Sequence, residues 1–222
     1  MRKVPRTRIV RRDDWILEAC KGKRILHVGC TDHPITAMKV ENAHLLHAKL
    51  VRVADEVVGL DIDKEGIERL SELMPDHRFI HHNAERLDDC EELGEEKFDL
   101  VVAADVIEHI ANPGLFVEGV THRLVPGGQL LLTTPHSFAI KRLIAMLAFG
   151  YEYVHPDHVS YYSLSTMNEL LDRCSFRIDD FVMFQWYNPT FKNRMSNAIV
   201  TPLLWLTGGR LCDEIALKCS PA

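Results

Sequence analysis

The sequence is short of the features that would assign it at a glance. Its six cysteines, at positions 20, 30, 90, 174, 212 and 219, form no CxxC pair and no metal-ligand spacing. They read as reduced thiols, which fits a cytoplasmic protein. No apolar run is long enough for a membrane span. "FAIKRLIAMLAFG" (138–150) is broken by Lys141-Arg142, and "AIVTPLLWLTGG" (198–209) is short and holds Pro202. Positive charge is also scarce: the formal net charge is -6 over 222 residues, so no nucleic acid partner is expected. The opening "MRKVPRTRIVRR" runs against that balance with six Lys/Arg. It reads as a solvated, frayed arm, and it lacks the apolar core and small-residue cleavage site of a signal peptide. No internal repeat or low-complexity segment is present.

The most informative shortage is local. In "KRILHVGCTDHP" (23–34) a strand-type apolar run, Ile25 to Val28, leads into Gly29. A nucleotide-cradling loop begins this way, glycine letting the backbone approach the ligand closely. The second and third glycines of such a loop are missing, and Thr31 and His33 stand in their places.

What is present is alternation. "RILHVG" reads as a strand and "TAMKVENAHLLHAKLVRVA" as the helix after it. "EVVGLDID" is a second strand and "KEGIERLSELM" a helix with apolar residues at helical spacing. "RFIHHNA" and the almost wholly apolar "FDLVVAADV" follow, then a helix in "GLFVEGVTHRL", a "PGG" turn and the strand "QLLLTTP". Later come a helix (138–148), a His- and Tyr-rich loop (150–163), the helix "STMNELLDRC", the strand "FRIDDFVMF" and a last strand in "DEIALKC". This rhythm predicts an α/β fold: a doubly wound, mostly parallel seven-stranded sheet with helices on both faces. Its length suits one domain, with an N-terminal arm and helix at 1–22, a binding core at 23–136, and covers at 137–163 and 187–210.

Open α/β sheets bind ligands beyond the carboxyl ends of their strands. Asp61 follows the second strand, where a carboxylate can accept both ribose hydroxyls. Asn83-Ala84 follow the third, Ala104-Asp105 and Glu108-His109 the fourth, and Thr134-Pro135-His136 the fifth.

With these residues in place the chain resembles the class I S-adenosylmethionine-dependent methyltransferases, in the group related to ubiquinone-biosynthesis and sugar-modifying enzymes. The resemblance runs from about residue 23 to 180. It is carried by "FDLVVAADVIEHIANPGLFVEGVTHRLVPGGQLLLTTP" and by "HPDHVSYYSLSTMNELLDRCSF". The resemblance implies a Rossmann-like methyltransferase fold with an antiparallel last strand, S-adenosyl-L-methionine as cofactor, and a small-molecule or glycan acceptor methylated at oxygen. It places Gly29 and Cys30 under the methionine portion, Asp61 on the ribose, Ile62 on the adenine face, Asn83 and Ala84 at the adenine edge, and Ala104 and Asp105 by the methionine ammonium. This sequence departs from the family at His27, where an acid is usual, at Asn83, where Asp is usual, and at Thr31 and His33.

Methyl transfer needs an aligned nucleophile, and a base can take the proton of an oxygen nucleophile. His109 and His158 are the candidate catalytic residues, with His155 a further candidate base and Tyr161 an orienting hydroxyl. Asp105, Glu108, His109 and His158 also form a possible carboxylate-imidazole metal set, although no metal ligand is assigned. Two competing readings exist: a non-catalytic methyltransferase-like scaffold, suggested by the broken glycine loop, and a nicotinamide-dependent oxidoreductase, disfavoured because the full glycine fingerprint is absent.

Overall fold

The computed structural model describes residues 3–32, 34–186 and 200–222. Seven strands form one sheet: β1 (Arg24–Val28), β2 (Glu56–Asp61), β3 (Arg78–His81), β4 (Phe98–Ala104), β5 (Leu124–Pro135), β6 (Phe176–Phe184) and β7 (Glu214–Pro221). They lie in the order β3-β2-β1-β4-β5-β7-β6. Every pairing from β3 across to β5 is parallel, and β7 runs antiparallel to both β5 and β6. The chain steps outward from β1 to β3 and then returns to the other side of β1 with β4. That reversal opens a crevice at the carboxyl ends of β1 and β4.

The helices are α1 (Arg12–Cys20), α2 (Thr36–Glu41), α3 (Leu46–Leu50), α4 (Lys64–Leu73), α5 (Pro113–Arg123), α6 (Ile140–Phe149) and α7 (Leu164–Arg173), with a further helix at 200–207. Both faces of β4 are covered, which explains its apolar run. Leu100 and Val102 pack with Ile16 and Cys20 of α1 and Leu50 of α3. Val101 and Ala103 pack on the other face with Phe116 and Val120 of α5 and Leu171 of α7.

Two elements differ from the sequence reading. The helix expected over 36–54 is two short helices, separated by a turn in which Ala43 adopts φ 56°. Over residues 7–10 the basic arm is held rather than frayed. Val10 donates its N–H to the Met183 carbonyl, Met183 donates back to Arg8, and Thr7 donates to Gly208. The arm thus adds a parallel bridge to the end of β6 and carries its last arginine inward. Among the described residues no helix is long and apolar enough to cross a membrane, and all six cysteines are free thiols.

Both expected covers attach near the carboxyl-end rim. The loop after α6 is held there because Val159 and Ser160 both donate to the Glu108 carbonyl. Residues 200–210 pack through Val200 and Leu204 on Met183 and Ile215; residues 187–199 of that cover lie outside the described residues.

Candidate active site

A cleft of about 600 Å³ opens over the carboxyl ends of β1, β2 and β4. Of the residues singled out from sequence, Gly29, Cys30, Asp61, Ile62, Ala104, Asp105 and His109 all line it, as does His155. Asn83 and Ala84 do not. Asn83 lies two residues beyond β3 and its side-chain Oδ1 accepts from Glu85 N, capping the 3₁₀ turn Ala84–Asp89, while Ala84 packs against the core.

The altered loop is built around two glycines, one in place and one displaced. Gly29 has φ +73°, and a Cβ there would overlap the Val106 side chain; its role follows from both facts. At Thr31 the missing glycine is offset from across the gap. Gly66 of α4 faces it, and a Cβ on Gly66 would come within 2.8 Å of Thr31 Cγ2. His33, the other departure, lies outside the described residues.

Thr31 also uses its hydroxyl. Its N–H and Oγ1 both donate to Asp61 Oδ2 at 2.9 Å, and Asp63 N donates to Asp61 Oδ1 at 3.0 Å. A carboxylate offers about four acceptor sites, so Asp61 keeps roughly one for a ligand hydroxyl rather than the two expected from sequence. Thr31 Oγ1 is also 3.5 Å from Asp63 Oδ2, so a small rotation toward Asp63 would release a second. Beside Asp61, Ile62 is 65% exposed on the cleft rim, an apolar side chain open to a flat ring.

At the other end of the cleft Asp105 has φ +58°, rare for a residue with a side chain. Thr133 stabilises this turn: its carbonyl and Oγ1 accept from Asp105 N, and its hydroxyl donates to Asp105 Oδ1 at 2.8 Å. Arg12 Nη2 donates to Asp105 Oδ2 at 2.6 Å. Arg12 was not anticipated; nothing in its spacing distinguishes it from the five other basic residues of the arm. It lies over the Trp186 ring at 5.5 Å, and both line the cleft. Burial opposes the Arg12 charge, but Asp105, Glu214 and Asp13 outweigh it and hold the guanidinium charged. Glu214, buried behind them, is pushed well above the carboxylate range by burial and by Asp105.

His27, standing where the family has an acid, is buried with its Nδ1 3.1 Å from Nδ1 of His47. Burial foremost, then the neighbouring charges, push His27 well below 6.5, and His47 falls to about 3. Both are neutral, so the acid's negative charge is absent here, and Asp105 and Asp13, both paired with Arg12, stand at this end of the cleft.

The turn after β4 does not bring the whole carboxylate-imidazole set read from sequence together. Because Asp105 turns the backbone through a left-handed conformation, the 3₁₀ turn Ile107–His109 starts in a new direction, and Asp105, Glu108 and His109 do not share one helical face. Glu108 is 1% exposed and accepts from Thr134 Oγ1 at 3.0 Å; burial and Asp105 raise its carboxyl to about 8. His109 faces the cleft. His158 packs against it, ring centroids 4.5 Å apart, and His155, also on the cleft, is 5.2 Å from His158 and 6.0 Å from His109. Burial, then His109 and His155, lower His158 to about 4. Ligand atoms of Glu108, His109 and His158 lie within 4.8 Å of one another, a spacing that could hold a divalent ion; Asp105 is not in that group.

Comparison with known proteins bears on the family and the fold. A family profile described as a methyltransferase domain matches residues 6–180. The chain is 30% identical over 145 residues to the ubiquinone biosynthesis O-methyltransferase of Chelativorans sp. (strain BNC1), covering 64% of this chain and 51% of that protein. It is 29% identical over 150 residues to the enzyme of the same name from Dechloromonas aromatica (strain RCB), covering 64% and 57%. It thus spans about half the length of these curated relatives. Among solved structures, an S-adenosylmethionine-dependent methyltransferase from Mesorhizobium loti superposes with a TM-score of 0.56 at 19% identity, covering 93% of this chain and 97% of that one. Magnesium protoporphyrin IX methyltransferase from Synechocystis PCC 6803, with S-adenosylhomocysteine bound, gives 0.58 at 13% identity, covering 95% and 80%.

Proposed function

The chain belongs to the methyltransferase-domain family, and from the geometry of its cleft we propose that it transfers a methyl group from S-adenosyl-L-methionine to an oxygen of a small-molecule acceptor. The observation that carries this reading is the convergence of Gly29, Asp61, Ile62, Asp105 and His109 on one cleft at the switch point of the sheet. When bound, the cofactor supplies a methyl group on a positively charged sulfur, open to in-line attack.

This chain's residues divide the binding between them. Gly29 lets the backbone run close beneath the methionine portion, beside Cys30. Asp61 accepts from the ribose, and Ile62 packs on the adenine face. Asn83, whose Oδ1 is committed to its cap, and Ala84 lie outside the cleft lining and take no part in holding the adenine. Asp105 and the Ala104 carbonyl accept from the ammonium, and Arg12 donates to the carboxylate. With Arg12 and Asp105 already paired, the two ends of the amino acid are matched by opposite charges.

His109 would be the proton acceptor, its imidazole taking the acceptor's O–H proton while the cofactor supplies the methyl group. His158, with a pKa near 4, is a weak base and orients His109 through their ring contact. The apolar cover favours a small molecule over a glycan.

Two observations support other readings. Asp61 and Asp105 already have internal partners, as a non-catalytic scaffold would; the grouped Glu108, His109 and His158 suit a metal-assisted reaction. Calorimetry with S-adenosylhomocysteine, followed by transfer of labelled methyl into a fractionated metabolite extract, separates them. Saturable binding with label incorporation supports the proposal, absence of both leaves the scaffold, and reversible loss of incorporation on chelation supports the metal.

A further inference from the structure

Within the segment 137–163, between α6 and the loop that follows it, lies a second pocket of about 290 Å³. Leu143 and Met146 of α6 form one wall, and Tyr153, Val154 and Tyr161 of the following loop form the other. One cation enters this apolar space. Arg142 lies over the Tyr161 ring at 4.8 Å, and its Nη1 donates to the His136 carbonyl at 2.9 Å. Its Nε is buried and has no acceptor. This Nε is closed off by protein atoms, so the guanidinium meets a ligand through its Nη groups. The pocket adjoins the reacting centre through two ring contacts: Tyr161 to His158 at 5.8 Å, and His158 to His109 at 4.5 Å.

We infer that this pocket anchors the non-reacting end of the acceptor, and that the acceptor is a flat apolar body carrying a carboxylate that pairs with Arg142. The inference rests on the methyl-transfer reading above. A planar guanidinium presents parallel N–H groups that fit a carboxylate side by side, and the ring beneath it fixes the plane of approach. Phosphate fits less well. The pocket has a single cation, and the carboxylate of Glu152 stands on the same wall, which suits one negative charge rather than two. The acceptor's reacting hydroxyl then lies across the body from its carboxylate, one end at His109 and the other at Arg142.

Calorimetry on the full chain, saturated with S-adenosylhomocysteine, tests this with trans-cinnamate and its neutral amide as probes. Cinnamate should bind about tenfold tighter or better, as expected for a charge-assisted pair. Arg142→Gln should erase the preference and Arg142→Lys retain part of it, both leaving S-adenosylhomocysteine affinity unchanged. Met146→Trp, which fills the pocket without touching Arg142's partners, should exclude both probes. Equal affinity for the two probes, no binding of either, or a preference that survives Arg142→Gln would overturn the inference while leaving the methyl-transfer reading intact. If S-adenosylhomocysteine itself fails to bind, that reading falls and this inference with it.

Discussion

In the proposed reaction single side chains carry the chemistry, and the decisive one is His109. It lines the cleft, while His158 packs against it with its pKa lowered to about 4. His109→Ala should therefore lower turnover by roughly 10²–10⁴-fold, the range for a lost general base, with S-adenosylhomocysteine affinity nearly unchanged. His158→Ala should act more mildly, and steady-state kinetics on both variants checks the order. If His158→Ala is the more damaging, the roles are reversed. Which residues could be read in advance follows from backbone regularity. Gly29, Asp61, Asp105 and His109 sit at strand ends, and alternation locates strand ends well. Arg12 could not be read, because its placement depends on the docking of an arm with no periodic pattern. The direction of Glu108 could not be read either, since it depends on the positive φ of Asp105, which no residue type there announces.

At the scale of elements the loop after β1 and helix α4 act as one unit. Thr31 occupies the space left by Gly66 and ties the loop to Asp61. Gly66→Ala should weaken S-adenosylhomocysteine binding by pushing on Thr31 and Asp63. Because Thr31→Gly vacates that space, the double variant should lose less than the sum of the two single losses, with a coupling of about 0.5–3 kcal/mol, as for residues in contact. Additive losses in calorimetry would show that the two elements are independent. This compensation was invisible in sequence, where Thr31 and Gly66 lie far apart and only the missing glycine shows. The strands and α4, α5 and α7 were legible because each repeats its own period over several residues. The split of 36–54 was not, because apolar residues on both sides of Asn42-Ala43 keep a helix-like spacing through the break.

For the whole molecule, burial of titratable groups sets a pH dependence whose sign can be worked out. His27, His47, His136 and His158 are all held below their ordinary 6.5, chiefly by burial, with His47 near 3 and His136 and His158 near 4. The unfolded chain binds more protons at these sites up to about pH 6.5, so stability rises with pH to that point. Glu108 moves the other way, from 4.5 to about 8, and Glu214 also rises, both chiefly through burial. The folded chain keeps protons there that the unfolded chain has lost, so their contribution is lost as pH rises toward 8. Four histidines outweigh two carboxyls below pH 6.5, and above it only the carboxyls act. The melting temperature of the ligand-free chain should therefore peak near pH 6.5 and fall toward pH 8, and Glu108→Gln should make that fall shallower. A melting temperature still climbing from pH 6.5 to 8 would contradict this. Methyl transfer requires that a cleft with only one glycine of the usual loop still take the cofactor. Calorimetric titration of S-adenosylhomocysteine into the wild-type chain and into Asp61→Ala measures that directly. Saturable single-site binding to the wild type, weakened roughly ten- to hundredfold in the folded variant by loss of ~1.5–3 kcal/mol of hydrogen bonding, is the predicted result; no saturable binding to the wild type, or equal affinity in the two proteins, would contradict it.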